Sequence, residues 1–351
     1  MVDSRRQTAD SRQQTTDNRW QIMGFFRLIS AVCRLPSAVS LASILLLFAT
    51  LLLYDSSIPA QSEKRSTSQH SGKVVIESAI KRFQTIETIS SKVRLKCHFF
   101  SEGYIGHGYY NEKRLPMVEI PAVSPNLFSL VLSFQADSLS GPKSSSSTLR
   151  IAANGSEFWK FTDMEGERRL EKVDLVKLQE ILARSQKDGG NFSQVQTTGP
   201  GELFSLGGLE GTLIQMTKYY DFDSAVVENS SLGSENLAVW KVSAKLKPDR
   251  LKAMIASYGG DKAVATHGGE HIPTAVSLYF GKEDLFPYRI CYYGGVKENP
   301  FSDTENIDLE YRDVAINGSD IATSIFRYDG VENVLSYEAT EDYALRILEG
   351  N

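Results

Sequence analysis

Cysteine is scarce in this chain: Cys33, Cys97 and Cys291 are the only three in 351 residues. That excludes a small scaffold built on disulfides. A surplus of positive charge is also missing. The net charge is −5, whereas a dedicated nucleic-acid binder needs a basic footprint. Catalytic signatures are lacking too. No G-x-S-x-G elbow occurs, and the glycine-rich stretch 199–211 has neither GxGxxG nor the Lys-Ser/Thr ending of a phosphate loop. His267-Gly268-Gly269-Glu270-His271 does match H-x-x-E-H. That zinc chemistry needs a continuous helix carrying both imidazoles on one face. Two adjacent glycines and the following Pro273 oppose such a helix. A zinc hydrolase using His267, Glu270 and His271 is therefore the weakest of three readings, and neither a cofactor nor covalent chemistry is expected.

What is present divides the chain sharply. Residues 1–34 are polar, with six arginines and three aspartates, and read as a disordered cytoplasmic tail. Residues 35–54 carry no charge, and Leu41–Leu53 is almost wholly Leu, Ile, Ala and Phe. Twenty residues at helical rise span about 30 Å, the depth of a bilayer's hydrocarbon core. Arg5, Arg6, Arg12, Arg19, Arg27 and Arg34 precede this run, and only Lys64 and Arg65 follow it closely. The positive-inside rule then predicts a single-pass signal anchor in the inner (cytoplasmic) membrane, with the C-terminal body in the periplasm. Ile58-Pro59-Ala60 leaves cleavage near Ala60 open, which would release the body into the periplasm. Residues 55–72, rich in Ser, Gln and Lys, read as a flexible linker. Beyond them lies an exported domain, residues 73–351. The tail contributes +3 to the net charge and the rest of the chain −8.

Within that domain the spacing predicts a helix over 73–87, then a meander of about six strands. Residues 126–136 are densely apolar, and Asn154-Gly155 marks a hairpin turn. Asp174 is placed to cap a helix over 175–185. A second central helix over 201–220 is expected from Leu206, Leu209, Leu213, Met216 and Tyr220. Strands follow at 222–228, 237–246, 274–280, 288–293, 306–316 and briefly at 325–328, with a helix at 249–258. Cys97 and Cys291 would share the oxidising side of the membrane, and the sequence leaves open whether they pair. The fold class is α+β: an incomplete antiparallel β-barrel, a curved sheet covered by helices on one side, preceded by one transmembrane helix.

Four segments resemble the bacterial outer-membrane lipoprotein carrier superfamily, the LolA/LolB-like, lipoprotein-sorting-like proteins. Leu206–Leu213 (LGGLEGTL) resembles its glycine-rich central helix. Lys282–Tyr293 (KEDLFPYRICYY) resembles its acidic turn and Pro-x-Arg strand start. Tyr311–Asn317 with Phe326-Arg327-Tyr328 resembles its terminal strand, and Gly108–Arg114 has its glycine-to-arginine spacing. Residues 247–273 look like an insertion. The resemblance spans roughly residues 73–345 and implies a half-barrel around an apolar cavity.

In that setting Phe128, Leu130, Leu132 and Phe134 on one strand, Trp159 beside a hairpin, and Met216 and Tyr220 on the central helix are the candidate ligand-binding residues. Each is also an ordinary core residue by type. The resemblance further implies that Arg114 bonds carbonyls on a helix lid. The expected partners are the membrane, through one helix, and a lipid or lipoprotein acyl chain. The other open reading is an envelope scaffold with a filled barrel and an unknown protein partner.

Overall fold

The computed structural model describes residues 70–99, 102–115, 126–136, 147–164, 166–187, 205–232, 235–257, 272–294, 305–330 and 334–349. These fall in a compact unit spanning Gln69–Asn351. The expected tail, the apolar run 35–54, most of the linker and the His267–His271 motif lie outside the described residues. Among those described, no helix is long and apolar enough to cross a membrane.

The chain opens with a two-residue strand β1 (His70–Ser71) and helix α1 (Gly72–Phe83). Six strands follow: β2 (Thr88–Phe99), β3 (Glu102–Arg114), β4 (Asn126–Ala136), β5 (Ser147–Ala153), β6 (Glu157–Met164) and β7 (Glu167–Asp174). Helices α2 (Leu175–Lys187) and α3 (Gly208–Tyr219) lead to β8 (Tyr220–Leu232) and β9 (Glu235–Leu246). Then come α4 (Pro248–Ser257), β10 (Pro273–Gly281), β11 (Pro287–Gly294), β12 (Ile307–Ile316), β13 (Leu335–Glu338) and α5 (Thr340–Glu349). All thirteen strands join one open, curved sheet in the order β1-β8-β9-β10-β11-β12-β2-β3-β4-β5-β6-β7-β13. Every pairing is antiparallel except that of β13 with β7, which is parallel.

Period-two alternation gives the sheet an inner and an outer face. Along β2, Ile89, Val93, Leu95 and Cys97 are buried while Lys92 is exposed. The register carries this phase through Leu309 and Tyr311 on β12 and Tyr110 on β3 to Leu130 on β4. On this inner face lies α1, whose Val75, Ile76, Ala79 and Phe83 are buried. It packs against β8, β9 and α3. Helix α3 has nine of its twelve residues buried, because it lies between α1 and the sheet. Each fully buried aliphatic or aromatic side chain here contributes about 1.5–3 kcal/mol of hydrophobic stabilisation. Asp174 caps α2 as expected, its Oδ1 accepting from the Lys177 N–H at 2.9 Å.

Two elements depart from expectation. The predicted helix at 201–220 begins only at Gly208, whose φ is 67°. That left-handed backbone favours glycine and makes a turn before the helix. The expected strand at 325–328 is a 3-10 turn, Thr323–Phe326, inside a strap across the outer face. Ile321 and Phe326 pack on Leu127 of β4, and Tyr328 packs on Trp159, Phe161 and Leu170. Aromatic residues that alternate like a strand here anchor a crossing segment. The strap delivers the chain to β13, and α5 then returns to the inner face, where Tyr343 meets Phe158 with ring centroids 5.9 Å apart.

Cys97 and Cys291 are both free and buried. Cys97 pairs in register with inner-facing Ile307, and Cys291 with outer-facing Asp308. They therefore point to opposite faces with β12 between their strands, which excludes a bridge.

Candidate functional site

A row of rings crosses the inner face. Phe83 stacks on Phe286 with centroids 6.0 Å apart, and Phe286 meets Tyr311 edge-on at 5.6 Å. Tyr311 meets Tyr110 edge-on at 5.7 Å, and Tyr110 stacks on Phe128 at 6.5 Å. Phe128 continues to Phe158 at 6.3 Å, and Phe158 to Tyr343. Edge-to-face and offset geometry at these separations is favourable beyond the area buried. Phe128, Leu130 and Leu132 extend this surface along β4 and are wholly shielded from water. Phe134 continues their phase but is half-buried. Its ring lies over Gly106, where an added Cβ would stand only 2.8 Å from it.

At one end of this apolar surface the sheet presents charge to α3. Tyr110, Glu112 and Arg114 alternate inward from β3. The Tyr110 hydroxyl donates to Glu112 Oε2 at 2.5 Å. The N–H of Leu209, in the first turn of α3, donates to the Tyr110 oxygen at 3.0 Å and to Glu112 Oε2 at 3.3 Å. Arg114 bonds Glu210 on α3 and donates to the Phe83 carbonyl at the end of α1 at 3.3 Å. Asn126 Nδ2 also donates to Glu210, at 3.1 Å. One arginine thus ties the start of α3 and the end of α1 to the sheet. Gly208 permits the approach, since a Cβ there would come within 3.2 Å of the Glu112 carboxyl.

Burial sets the electrostatics. It pushes the Glu112 carboxyl up to about 7, although the bonds from Tyr110 and the Leu209 N–H favour its ionised form. Burial, and then the neighbouring Glu112 carboxylate, holds the Tyr110 hydroxyl well above its usual range. These groups hold the start of α3 and the end of α1 against β3. No cluster of His, Cys, Asp or Glu that could hold a metal occurs among the described residues.

The candidate ligand residues separate accordingly. Phe128, Leu130, Leu132 and Phe134 share the inner face. Met216 is buried on α3. Tyr220 is buried at the start of β8 and donates to the Pro273 carbonyl at 2.9 Å. Arg114 stands at the rim of the apolar surface. Trp159 lies on the opposite face, beneath Tyr328 at a centroid distance of 5.3 Å, because alternation along β6 sends Phe158 inward and Trp159 outward. Sequence reasoning passed over Glu112, Glu210 and Tyr311. Glu112 had a readable signal, a carboxylate in phase with the apolar positions of its strand.

The architecture at this point is that of a large curved antiparallel sheet laid over central helices. No protein-family profile and no curated protein sequence matches the chain. Solved structures similar to it include a DUF1329 family protein from Desulfovibrio piger, 8% identical, covering 74% of this chain and 98% of that one at a TM-score of 0.31. A putative outer membrane lipoprotein-sorting protein domain from Vibrio parahaemolyticus is 8% identical, covering 80% and 98% at a TM-score of 0.26. LprF from Mycobacterium bovis is 10% identical, covering 72% and 95% at a TM-score of 0.32. Likeness of this degree says nothing about ligands or residue roles.

Proposed function

We propose that this chain is an exported, membrane-anchored envelope protein that binds a hydrophobic ligand, a lipid or lipoprotein acyl chain, against the inner face of its sheet and does no covalent chemistry. The observation that carries the reading is the clasp between Arg114, Glu210 and Glu112 at the edge of a water-excluded apolar surface. A permanently filled core gains little from desolvated charge, since apolar packing of equal volume usually serves as well or better. Charge at the N-terminus of α3 suits a helix whose seat is fixed by directional bonds as well as by its buried face, so that an apolar ligand replacing that face can displace it once the bonds break. Apolar burial of an acyl chain would supply roughly 0.8 kcal/mol per methylene towards that movement. The uncharged run 35–54 with arginines before it supports a single-pass anchor with the sheet on the periplasmic side.

The test is photocrosslinking of the full-length protein in nanodiscs with a diazirine-bearing acyl lipid, followed by mapping of the labelled peptides. Labels on 126–136 and on α3 are expected. Labelling confined to 35–54 would overturn the reading in favour of a scaffold with a filled interior.

A further inference from the structure

Two hydroxyls on the inner face have no hydrogen-bond partner among the described residues, those of Ser91 and Tyr311. Both residues are buried, Tyr311 completely and Ser91 to 3% exposure. They sit together. Ser91 on β2 is the cross-strand partner of Tyr110 on β3, and the Tyr311 ring meets the Tyr110 ring across the same strand. Ser91 also lies beside the irregularity in β12 between Arg312 and Ala315, where Asp313 takes a φ of 50°. An unbonded buried hydroxyl forfeits its hydration without return, and two of them in one apolar surface mark a place for an acceptor.

We infer that the Ser91 and Tyr311 hydroxyls form a polar subsite that takes the neutral carbonyl of an acyl ester, with the alkyl chain lying along Phe128, Leu130 and Leu132. This rests on the acyl-binding reading above and adds the chemistry of the head. Both hydroxyls can donate, as a carbonyl oxygen with two lone pairs requires. Charge favours a neutral head, because in the nearby clasp Glu210 already pairs with the one guanidinium, that of Arg114, and the buried Glu112 carboxyl has no cation of its own among the described residues. A carboxylate ligand would bring a further negative charge into a buried site with no second cation among those residues. The aromatic neighbours fix the hydroxyl's place, since Tyr311 is held edge-on by both Tyr110 and Phe286.

The experiment compares methyl oleate with 1-octadecene, which has a similar chain without the carbonyl, for binding to the full-length protein in nanodiscs. Tyr311→Phe keeps the ring and removes only the oxygen, and Ser91→Ala is equally small, so both variants should fold. The double variant is expected to bind methyl oleate at least fivefold more weakly and 1-octadecene within twofold of wild type. The carbonyl resonance of 13C-labelled methyl oleate should lose its bound-state shift. Equal loss for both probes, or no loss for either, overturns the subsite and leaves acyl binding standing, with water alone at the hydroxyls. A wild-type protein that takes up neither probe overturns the parent reading and the subsite with it.

Discussion

The two faces of the sheet both carry arginine–carboxylate pairs, but they use them differently. On the outer face the charges sit on neighbouring strands. Arg289 on β11 grips Asp308 on β12 through two bonds of 2.7 and 3.0 Å. Glu310 on β12 is approached by Arg312 at 2.6 Å and by Arg94 on β2 at 3.6 Å. The ring of Tyr279 lies between Lys241 and Arg289, each 5.4 Å from its centroid. Such a ladder knits adjacent strands, and each carboxylate has a cation on its own or the next strand. On the inner face Arg114 joins elements distant in sequence, and its loss leaves Glu112 and Glu210 buried without a guanidinium. Outer charge supports the sheet, whereas inner charge decides where a helix sits.

Breaking the inner pair should therefore have the largest effect. Arg114→Leu strands Glu210 in a dry setting, and the expected destabilisation is about 3–5 kcal/mol. The double variant Arg114→Leu with Glu210→Leu should recover most of it, because both charges leave together. Arg289→Leu on the outer face should cost about 2 kcal/mol, the scale of lost charge-assisted hydrogen bonds. Thermal midpoints of the four proteins check this order. Equal losses for Arg114→Leu and Arg289→Leu, with no rescue in the double variant, would erase the distinction between the faces.

A smaller and opposite effect is expected at Glu112. Its folded-state value stands near 7 against an ordinary 4.5. Between those values the folded chain keeps a proton that the unfolded chain has released, so this group's contribution to stability falls as pH rises through the window. Glu112→Gln should leave stability unchanged near pH 4.5. Above pH 7 it should gain stability, up to about 3 kcal/mol, because the variant has no carboxylate to ionise in that dry setting. Denaturant midpoints at pH 5 and pH 8 decide it, and a variant whose pH slope equals that of wild type refutes the assignment.

Much of the sheet was legible because alternation is local. The strands at 126–136 and 237–246 and the turn at Asn154-Gly155 needed only neighbouring residues, and the phase of Phe128, Leu130 and Leu132 followed. Trp159 was grouped with them by its chemistry, although the same alternation assigns it to the other face once Phe158 points inward. Arg114 stood out by its spacing from Gly108, but its carboxylate partner is 96 residues away, and nothing local pairs it with Glu210. The partnerless state of Tyr311 and Ser91 belongs to tertiary structure, since it depends on what surrounds them. β13 escaped notice because Leu335–Glu338 has four exposed residues and a parallel partner reached only by way of the strap. In α5, Tyr343, Ala344 and Ile347 do recur at helical spacing, a signal that was present and passed over.

The smallest effect expected marks the limit of the outer network. Lys92 and Asp313 approach to 2.7 Å at the bulge in β12, yet both side chains are about 60% exposed. Asp313 nevertheless holds the Lys92 ammonium above its usual range, first through their hydrogen bond and then through its charge. Water and salt screen such a pair, and ordering two side chains offsets its attraction. Lys92→Ala should leave the thermal midpoint unchanged within error at 150 mM salt. A clear loss would mean that Lys92 fixes the left-handed backbone at Asp313, and with it the bulge beside Ser91, and the outer face would then share in shaping the inner one.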